Sequence, residues 1–411
     1  MSEALQGNVV IGQSGGPSAV INQSLVGIVE TLRDQPGINK ILGARNAVAG
    51  IRRNDFIELQ DKSRDQLERI ANTPSAALGS SRDKPDEEYC KKLFEVFAEN
   101  DVRYFFYIGG NDSSDTCRIV HEVAKQNNYE LRAFHVPKTI DNDLVCNDHT
   151  PGWGSAAKFV AQAFMGDNLD NRALPGIKLN VVMGRHAGFL TAASILGRRN
   201  EEDGPHLVYV PEADFSVDQF KQDVERVYAR HGRCLIAVSE GIHNKEGKPI
   251  AVELAEQMGG VETDSHGNPQ LSGTGVLGDF LTKAIKEHMA EKIEKVRARA
   301  DTFGYLQRCF VGCVSEVDQR EARAVGQKAG EAALAGETAG SVTINRTSNS
   351  PYQVEYGLVK LGDVAAKTRT LDTSYIVNGN DIDESFKEYA GPIVGELPTI
   401  ETFDFEPATT S

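Results

Sequence analysis

Side chains suited to phosphoryl transfer stand close together after a short apolar run, 131–136. The segment 137–143 reads PKTIDND. The Lys138 ammonium can neutralise a phosphate, and the Thr139 hydroxyl can donate to it. The carboxylates of Asp141 and Asp143 can accept a proton or hold a metal. Taken alone, the segment fits an ordinary polar transition from strand to loop equally well.

Glycine-rich turns follow two other predicted strands. The strand at 8–12 runs into Ser14-Gly15-Gly16 and a helix at 19–32, and the strand at 103–108 runs into GGNDSSDT, 109–116. A strand, glycine turn and helix point backbone N–H groups at an anion, and glycine lets the anion approach closely. Another small-residue turn, 78–82, ends in Arg82. Together with 131–136, the strands at 8–12 and 103–108 make three strands that end in turns with candidate functional residues. They predict a doubly wound α/β sheet with its ligand beyond the C-terminal ends of the strands.

The second half of the chain repeats this alternation. It contains predicted strands at 177–183, 206–210 and 233–238, with helices at 155–166, 189–197 and 216–230. A polar insertion at about 241–298 overlaps a predicted long helix at 280–300. A helix at 316–335 and a strand at 341–345 precede the alternating run 352–360, which is suited to an antiparallel sheet edge. We therefore predict two Rossmann-like three-layer α/β domains facing a central cleft.

Composition excludes several classes of protein. The 411 residues carry a formal net charge of −15, which argues against nucleic-acid and anionic-membrane surfaces. The sequence shows neither a signal peptide nor an apolar run of about 18 residues. Six cysteines without a CxxC pair predict free thiols and a cytoplasmic location.

One motif fails its context test. Gly273, Gly275 and Gly278 match GxGxxG, but the preceding residues form no strand pattern. A helix N-terminal turn is therefore favoured over a dinucleotide site, and an NAD-dependent oxidoreductase is a weak alternative.

Seven segments, in order, resemble the phosphofructokinase family, and the resemblance covers most of the chain. They are Ser14-Gly15-Gly16 with Asn22, GSSR at 79–82, GGNDS at 109–113, TIDND at 139–143, Met183-Gly184-Arg185, Ser239-Glu240 and GYLQR at 304–308. The resemblance implies phosphorylation of fructose 6-phosphate on its 1-hydroxyl. It also implies a larger donor-binding domain, 1–152 with about 309–385, and a smaller sugar-phosphate-binding domain, 153–308 with the C-terminal segment.

The same resemblance assigns roles to residues. Asp141 would be the base that accepts the hydroxyl proton, and Arg308 and Arg299 would hold the 6-phosphate, for which a guanidinium is suited. Tyr305 stands where many relatives have histidine. The implied substrate residues are Thr139, Ile140, Asp141, Met183, Gly184, Arg185, Glu240, Arg299, Tyr305, Leu306, Gln307 and Arg308.

Two positions indicate which phosphoryl donor the site binds. Asp112 and Lys138 stand where ATP-using members have glycine. A carboxylate at position 112 would repel the α-phosphate of ATP, and an ammonium at position 138 can stabilise a leaving phosphate. This pairing resembles the pyrophosphate-dependent branch, with Gly15 and Arg82 also contacting the donor. Together with Asp141, Lys138 and Asp112 are the predicted catalytic residues.

Other positions depart from the family pattern. Asn111 replaces the usual metal-binding aspartate, so Mg²⁺ is expected at Asn111 together with Asp112 or Asp143. The resemblance also implies a homo-oligomer, a dimer or tetramer, in which a neighbour's arginine often reaches the 6-phosphate. Here that region reads PGIK, 175–178, so either Lys178 substitutes or the contact is missing. The alternatives are an ATP-dependent 6-phosphofructokinase and a non-catalytic sugar-phosphate-binding subunit; the presence of Asp141 argues against the latter.

Overall fold

The computed structural model describes residues 5–257, 275–290, 292–293 and 295–403. Its strands are β1 (Gly7–Gln13), β2 (Ile38–Ala44), β3 (Phe56–Glu58), β4 (Val102–Gly109), β5 (Arg132–Pro137), β6 (Ile177–Val182), β7 (Leu207–Tyr209), β8 (Cys234–Ser239), β9 (Ala298–Thr302), β10 (Ala339–Asn349), β11 (Tyr352–Val359), β12 (Ile376–Val377) and β13 (Asp381–Ile382).

The helices follow the same alternation. They are α1 (Ile21–Leu32), α2 (Ala47–Arg52), α3 (Arg64–Ala71), α4 (Glu87–Glu99), α5 (Asn111–Gln126), α6 (Trp153–Ala173), α7 (Phe189–Ala192), α8 (Val217–His231), α9 (Ile250–Gln257), α10 (Val276–Met289), α11 (Glu316–Leu334), α12 (Leu361–Val364) and α13 (Phe386–Val394). Short 3₁₀ turns cover Ala193–Gly197, Gly304–Arg308 and Thr373–Tyr375.

Side chains at the helix starts explain several of these boundaries. The Ser216 hydroxyl accepts from the amide of Gln219 at the start of α8, and the Asp86 carboxylate accepts from that of Tyr89 at the start of α4. Each interaction satisfies a donor that has no partner inside the helix. Helix α8 ends at Gly232, which takes the left-handed conformation that glycine adopts most easily.

The larger sheet has the order β11-β10-β5-β4-β1-β2-β3, and its five central strands are parallel. The edge strands β11 and β3 are antiparallel to their neighbours, as predicted for β11. Side chains alternate between the two faces, so Val9 packs with α1 and α11 whereas Val10 packs with α2 and α4. Three layers result.

The smaller sheet has the order β7-β8-β6-β9 and is parallel throughout. Helices α6 and α13 cover one face, and α8, α9 and α10 cover the other. The prediction of two three-layer α/β domains is confirmed. No helix of the described ranges combines the length and apolarity that a bilayer crossing requires.

Of two sequence predictions for residues 273–300, the helix differs from the structure and the helix N-terminal turn at the GxGxxG motif agrees with it. The helix expected at 280–300 ends at Met289, and 298–302 forms β9 at the edge of the smaller sheet. Charged residues typical of a helix continue to Arg299, but pairing with β6 decides the conformation. Of the GxGxxG motif, Gly275 precedes α10 and Gly278 lies within it, and residues 273–274 lie outside the described ranges.

The C-terminal segment returns to the smaller sheet earlier than expected. The prediction kept residues up to about 385 with the larger domain. In the structure, Leu371, Ile382 and Phe386 are buried in the core formed by α6, α7 and the smaller sheet. The chain therefore crosses between domains just after α12, next to the loop that follows β5.

Candidate active site

The fold brings the predicted turns together at one edge of each sheet. Strands β5, β4 and β1 are parallel neighbours, so the loops 138–143, 110–113 and 14–16 leave the same edge. In the smaller sheet, β8, β6 and β9 deliver the loops 239–242, 183–188 and 303–308 in the same way. The two sets of loops border a cleft between the domains.

Two adjoining cavities occupy this cleft. The cross-domain cavity, of about 300 Å³, is lined by Gly16, Arg82, Asp112, Lys138, Thr139, Ile140, Asp141, Met183, Arg185, His186, Glu240, Tyr305 and Arg308. The loop cavity, of about 220 Å³, belongs to the larger domain and is lined by Ser14, Gly15, Gly16, Ser81, Arg82, Asp83, Lys84, Gly110, Asn111, Asp112, Ser113, Lys138, Thr139, Asp141 and Asp143. Lys138 and Asp141 line both cavities.

Hydrogen bonds to both domains hold the loop 138–143. The Lys138 amide donates to the Gly109 carbonyl at 2.9 Å, and the Asp141 amide donates to the Thr139 hydroxyl at 3.1 Å. Asn142 takes a left-handed conformation with φ 60°, and its side chain donates to the Tyr389 hydroxyl at 2.8 Å. Side-chain contacts therefore hold a strained residue between the two aspartates.

Arg369 supports the same loop from the crossing segment. Its guanidinium donates to the carbonyls of Asn142, Asn147 and Asp148 at 2.8, 2.8 and 2.6 Å. Its amide also donates to the Asp143 carbonyl at 2.8 Å. A planar group with five donors is suited to several carbonyls at once. Sequence reasoning did not single out Arg369, because its partners are backbone atoms more than 200 positions away in sequence.

Burial makes the two aspartates unusual carboxylates. It raises the pKa of Asp141, and the nearby charges of Arg308, Lys138 and Arg185 oppose this rise. Burial, followed by the negative charge of Asp141, raises the pKa of Asp143 to about 7. Two buried carboxylates that repel each other form a site that protons or a cation would stabilise.

Lys138 lies between the cavities and is only 4% exposed. Its ammonium donates to the Gly16 carbonyl at 2.8 Å. Burial, together with the positive charge of Arg308, lowers the pKa of Lys138 to about 7. An added anion would favour its charged form.

Glycines allow the close packing of the first loop. Gly15 has φ 74°, and its amide and carbonyl bond Ser81 and Ser80 respectively. A side chain at Gly16 would place its Cβ 3.0 Å from the Arg308 guanidinium carbon. Glycine at both positions therefore keeps the loop next to the cationic groups.

At the start of α5, Asn111 and Asp112 border the loop cavity. The Asn111 side-chain oxygen accepts from the Asp112 amide at 2.8 Å, which engages the atom predicted to bind metal. The Asp112 carboxylate forms an ion pair with Lys84 at 3.1 Å. No metal-binding group of three or more His, Cys, Asp or Glu side chains occurs among the described residues.

In the smaller domain, Met183, Arg185 and Glu240 line the cross-domain cavity as predicted. Gly184 and Gln307 do not line it but shape its wall. The Gln307 side chain is buried and accepts from the Met183 amide at 3.3 Å. A Cβ on Gly184 would approach the Ala187 carbonyl to 2.5 Å.

The 304–308 turn presents Tyr305 and Arg308 to the cross-domain cavity. The Arg308 guanidinium lies 4.5 Å from the centroid of the Tyr305 ring, a distance at which a cation and an aromatic face attract. Burial and the neighbouring charge of Arg82 lower the pKa of Arg308. Leu306 points elsewhere and is 63% exposed.

Arg299 lines neither of the two cleft cavities. It is near the start of β9, beside Lys178 on β6, so about four residues, or roughly 13 Å of strand, separate it from the cleft. Its guanidinium donates to the Ala298 carbonyl at 3.1 Å. Lys178 forms an ion pair with Asp301. Within one chain, Arg299 therefore does not join Arg308, as its predicted role would require.

Three lining residues, Asp83, Lys84 and His186, belong to none of the predicted motifs. His186 follows Arg185 directly, and it lines the cross-domain cavity. Lys84 stands in an irregular segment, two residues after Arg82. That spacing of two places both side chains on one side of an extended chain, and it could have suggested Lys84.

Comparison with known proteins agrees with this geometry. A model of the phosphofructokinase family matches residues 8–335. The chain is 56% identical over 391 residues to a pyrophosphate–fructose 6-phosphate 1-phosphotransferase from Rhodospirillum rubrum, covering 95% of each chain. It is 37% identical over 401 residues to an enzyme of the same name from Halomonas elongata, covering 95% of this chain and 92% of the relative.

A solved structure extends the comparison to the fold. The crystal structure of a pyrophosphate-dependent phosphofructokinase from Marinobacter aquaeolei superposes with a TM-score of 0.83 at 31% identity. The match covers 97% of this chain and 94% of the other. The cleft, its motifs and these relatives lead to one conclusion: the chain belongs to the phosphofructokinase family, in its pyrophosphate-dependent branch.

Proposed function

We propose that this protein transfers a phosphoryl group from pyrophosphate to the 1-hydroxyl of fructose 6-phosphate, reversibly, giving fructose 1,6-bisphosphate and phosphate. The observation that carries the choice of donor is the position of Lys138, which is buried and lines both cavities together with Asp112. Pyrophosphate would occupy the loop cavity, with Gly15, Arg82 and Lys138 around it. The sugar phosphate would occupy the cross-domain cavity.

Asp141 is the proposed base. It lines both cavities, so the 1-hydroxyl of the sugar can lie beside it while facing the donor. The hydroxyl proton passes to Asp141, the sugar oxygen bonds the near phosphorus of pyrophosphate, and the bridging P–O bond breaks. The electron pair leaves on phosphate, whose growing charge Lys138 stabilises. The raised pKa of Asp141 suits a base that must return this proton in the reverse reaction.

Residues of the smaller domain would orient the sugar. Arg308 is placed to hold the 6-phosphate, because a buried guanidinium forms strong hydrogen bonds with phosphate oxygens. Glu240 would accept from sugar hydroxyls, while Met183 and Arg185 frame the ring. Thr139 and Ile140 would border the reacting end, and Tyr305 would close the phosphate end. Gly184 and Gln307 act through the wall that they shape.

Mg²⁺ fits the carboxylates at the junction of the cavities. The raised pKa values of Asp141 and Asp143 show that their two charges are poorly compensated, and a divalent cation would compensate them. Mg²⁺ commonly takes one or two carboxylates with the remaining positions filled by water and phosphate. When bound, it would neutralise phosphate charge. Asp143 is the preferred ligand, with Asp112 nearby. The side-chain oxygen of Asn111 already accepts a hydrogen bond from the Asp112 amide, so only its second lone pair could bind the metal.

We also propose that the protein is a cytoplasmic homo-oligomer that acts in glycolysis or gluconeogenesis. Because Arg299 lies near the outer edge of the smaller sheet, it could bind the 6-phosphate only in the cleft of a second copy. Light scattering measures the assembly. Mixing the inactive Asp141→Asn variant with the Arg299→Ala variant would test whether two copies share a cleft. In a hybrid of the two variants, one cleft has Asp141 from one copy and Arg299 from the other, so activity should be regained. Without any gain of activity on mixing, sharing would be ruled out.

The test of the donor compares pyrophosphate with ATP in a coupled assay. We expect turnover with pyrophosphate and little or none with ATP. In the double variant Lys138→Gly with Asp112→Gly, pyrophosphate activity should fall by orders of magnitude. Robust turnover of the unaltered enzyme with ATP alone, or full pyrophosphate activity in the double variant, would contradict the proposal.

A further inference from the structure

The loop cavity has an unusual balance of charge for a site that takes a multiply charged anion. Its lining includes three cationic side chains, Arg82, Lys84 and Lys138. It also includes four carboxylates, those of Asp83, Asp112, Asp141 and Asp143. A donor such as pyrophosphate adds further negative charge, so each cation at this cavity matters for binding.

Lys84 is held where it can serve the donor. The segment that carries it is attached to α4 on both sides, since Asp83 accepts from the Tyr89 hydroxyl at 2.8 Å and Asp86 caps the helix. Between these two attachments, the Lys84 ammonium lies 3.1 Å from the Asp112 carboxylate. Asp112 belongs to the start of α5 and also lines the loop cavity.

This ion pair contributes little to the fold. The two side chains are 50% and 54% exposed, and ion pairs at such exposure add little stability. A long lysine side chain in this setting can change partner at small cost, because its ammonium is a compact charge on a flexible stem. The position of the pair at the cavity indicates a role in binding.

We propose that Lys84 is a donor-binding residue whose ammonium contacts the outer phosphate of pyrophosphate, and that Asp112 positions it. This rests on the proposed function and deepens it. Asp112 then has two effects: its charge disfavours a nucleotide α-phosphate, and it keeps a cation beside the cavity. The outer phosphate becomes the leaving phosphate, so Lys84 also contacts free phosphate in the reverse reaction.

Steady-state kinetics of Lys84→Met test this assignment in both directions. We expect KM for pyrophosphate and KM for phosphate to rise about 10- to 100-fold, as for a lost charge-assisted hydrogen bond. KM for fructose 6-phosphate should change less than about twofold. Lys84→Arg should recover most of the affinity, because a cation is restored.

Lys92→Met is a matched control. Lys92 forms an ion pair with Glu88, also at 3.1 Å, with side chains 55% and 80% exposed, and it lies on α4 away from the cavity. Its kinetics should equal those of the unaltered enzyme. If Lys84→Met matched this control, or if it raised the KM values of both substrates equally, the assignment would be wrong.

A double-mutant cycle tests the part of Asp112. If Asp112 acts through Lys84, Asp112→Asn should raise KM for pyrophosphate in the unaltered enzyme but not in Lys84→Met. Equal effects in both backgrounds would overturn the positioning role. A failure of the proposed function is distinguishable, because the unaltered enzyme would then show no turnover with pyrophosphate in the same assay.

Discussion

The two cavities of the cleft differ in how their charged groups are held. In the cross-domain cavity, Arg308 is largely buried and stacks on Tyr305, and the buried Gln307 fixes the adjoining wall. In the loop cavity, Lys84 and Asp112 are about half exposed and neutralise each other. The sugar-phosphate side is therefore preorganised by burial, whereas part of the donor side consists of charges that must exchange partners.

Asp141, one of the residues that line both cavities, should give the largest effect. Asp141→Asn keeps the shape but removes the base, so kcat should fall by about 10²–10⁴-fold in both directions. KM for either substrate should change much less. Initial rates with saturating substrates measure this. If Asp141→Asn kept activity within tenfold of the unaltered enzyme, Asp141 would be excluded as the base. The two cavities would then not be connected through this residue.

Arg369 tests whether the shared loop must be held rigidly. Arg369→Ala removes three hydrogen bonds to the carbonyls of 142, 147 and 148. A displacement of about 1 Å at reacting groups can cost about 10²-fold, so we expect kcat to fall by that order with smaller changes in KM. Added guanidinium ion should restore part of the activity.

A matched change elsewhere controls for general destabilisation. Arg320→Ala, at an exposed position on α11, should leave kcat unchanged. If Arg369→Ala kept full activity, or lost it only because the protein unfolds at the assay temperature, the loop would not depend on this support.

Arg308 separates the two cavities directly, since it lines only the cross-domain cavity. Arg308→Ala should raise KM for fructose 6-phosphate by about 10- to 100-fold, which corresponds to a lost hydrogen bond between charged groups. KM for pyrophosphate should change little. Lys84→Met is expected to raise KM for pyrophosphate and not KM for fructose 6-phosphate, so opposite effects of the two substitutions would support the distinction between the cavities. If both substitutions raised the same KM values, the distinction would be wrong.

The smallest expected effect is on the free energy of unfolding, through the cluster of ionisable side chains around His149. Burial alone would lower the pKa of His149, but the hydrogen bonds that its ring donates to the Asp148 and Glu321 carboxylates, together with their negative charges, raise it overall. Tyr352 and Arg346 also face this cluster. Because folding raises this pKa, the stability it contributes is fully present below about pH 6.5 and is lost as pH rises through the folded value.

Urea unfolding at pH 6 and pH 9 measures this contribution. Each pKa unit of increase corresponds to about 1.4 kcal/mol of unfolding free energy. His149→Gln should lose the part of the pH dependence that comes from this residue. An identical pH dependence in both proteins would show that the cluster does not hold a proton on folding.

Much of the site could be predicted because the family motifs occupy strand ends. Parallel neighbours send their C-terminal loops to one edge, so the order of the turns was enough to bring Gly15, Lys138 and Asp141 together. The assignment of Met183, Arg185 and Glu240 to the opposite wall followed in the same way. The role of Arg299 came from the family resemblance alone, and only the structure shows that Arg299 lies near the start of β9, away from the cleft of its own chain.

The sequence by itself determined the alternation of strands and helices, the motif residues and the choice between pyrophosphate and ATP, because these depend on local pattern and residue type. Only the tertiary structure decided which distant groups meet. Arg369 holds the backbone of the catalytic loop, Gln307 supports Met183, and Lys84 pairs with Asp112 at the loop cavity. Such contacts join segments far apart in sequence, and their partners are carbonyls, amides and single charges that leave no periodic pattern.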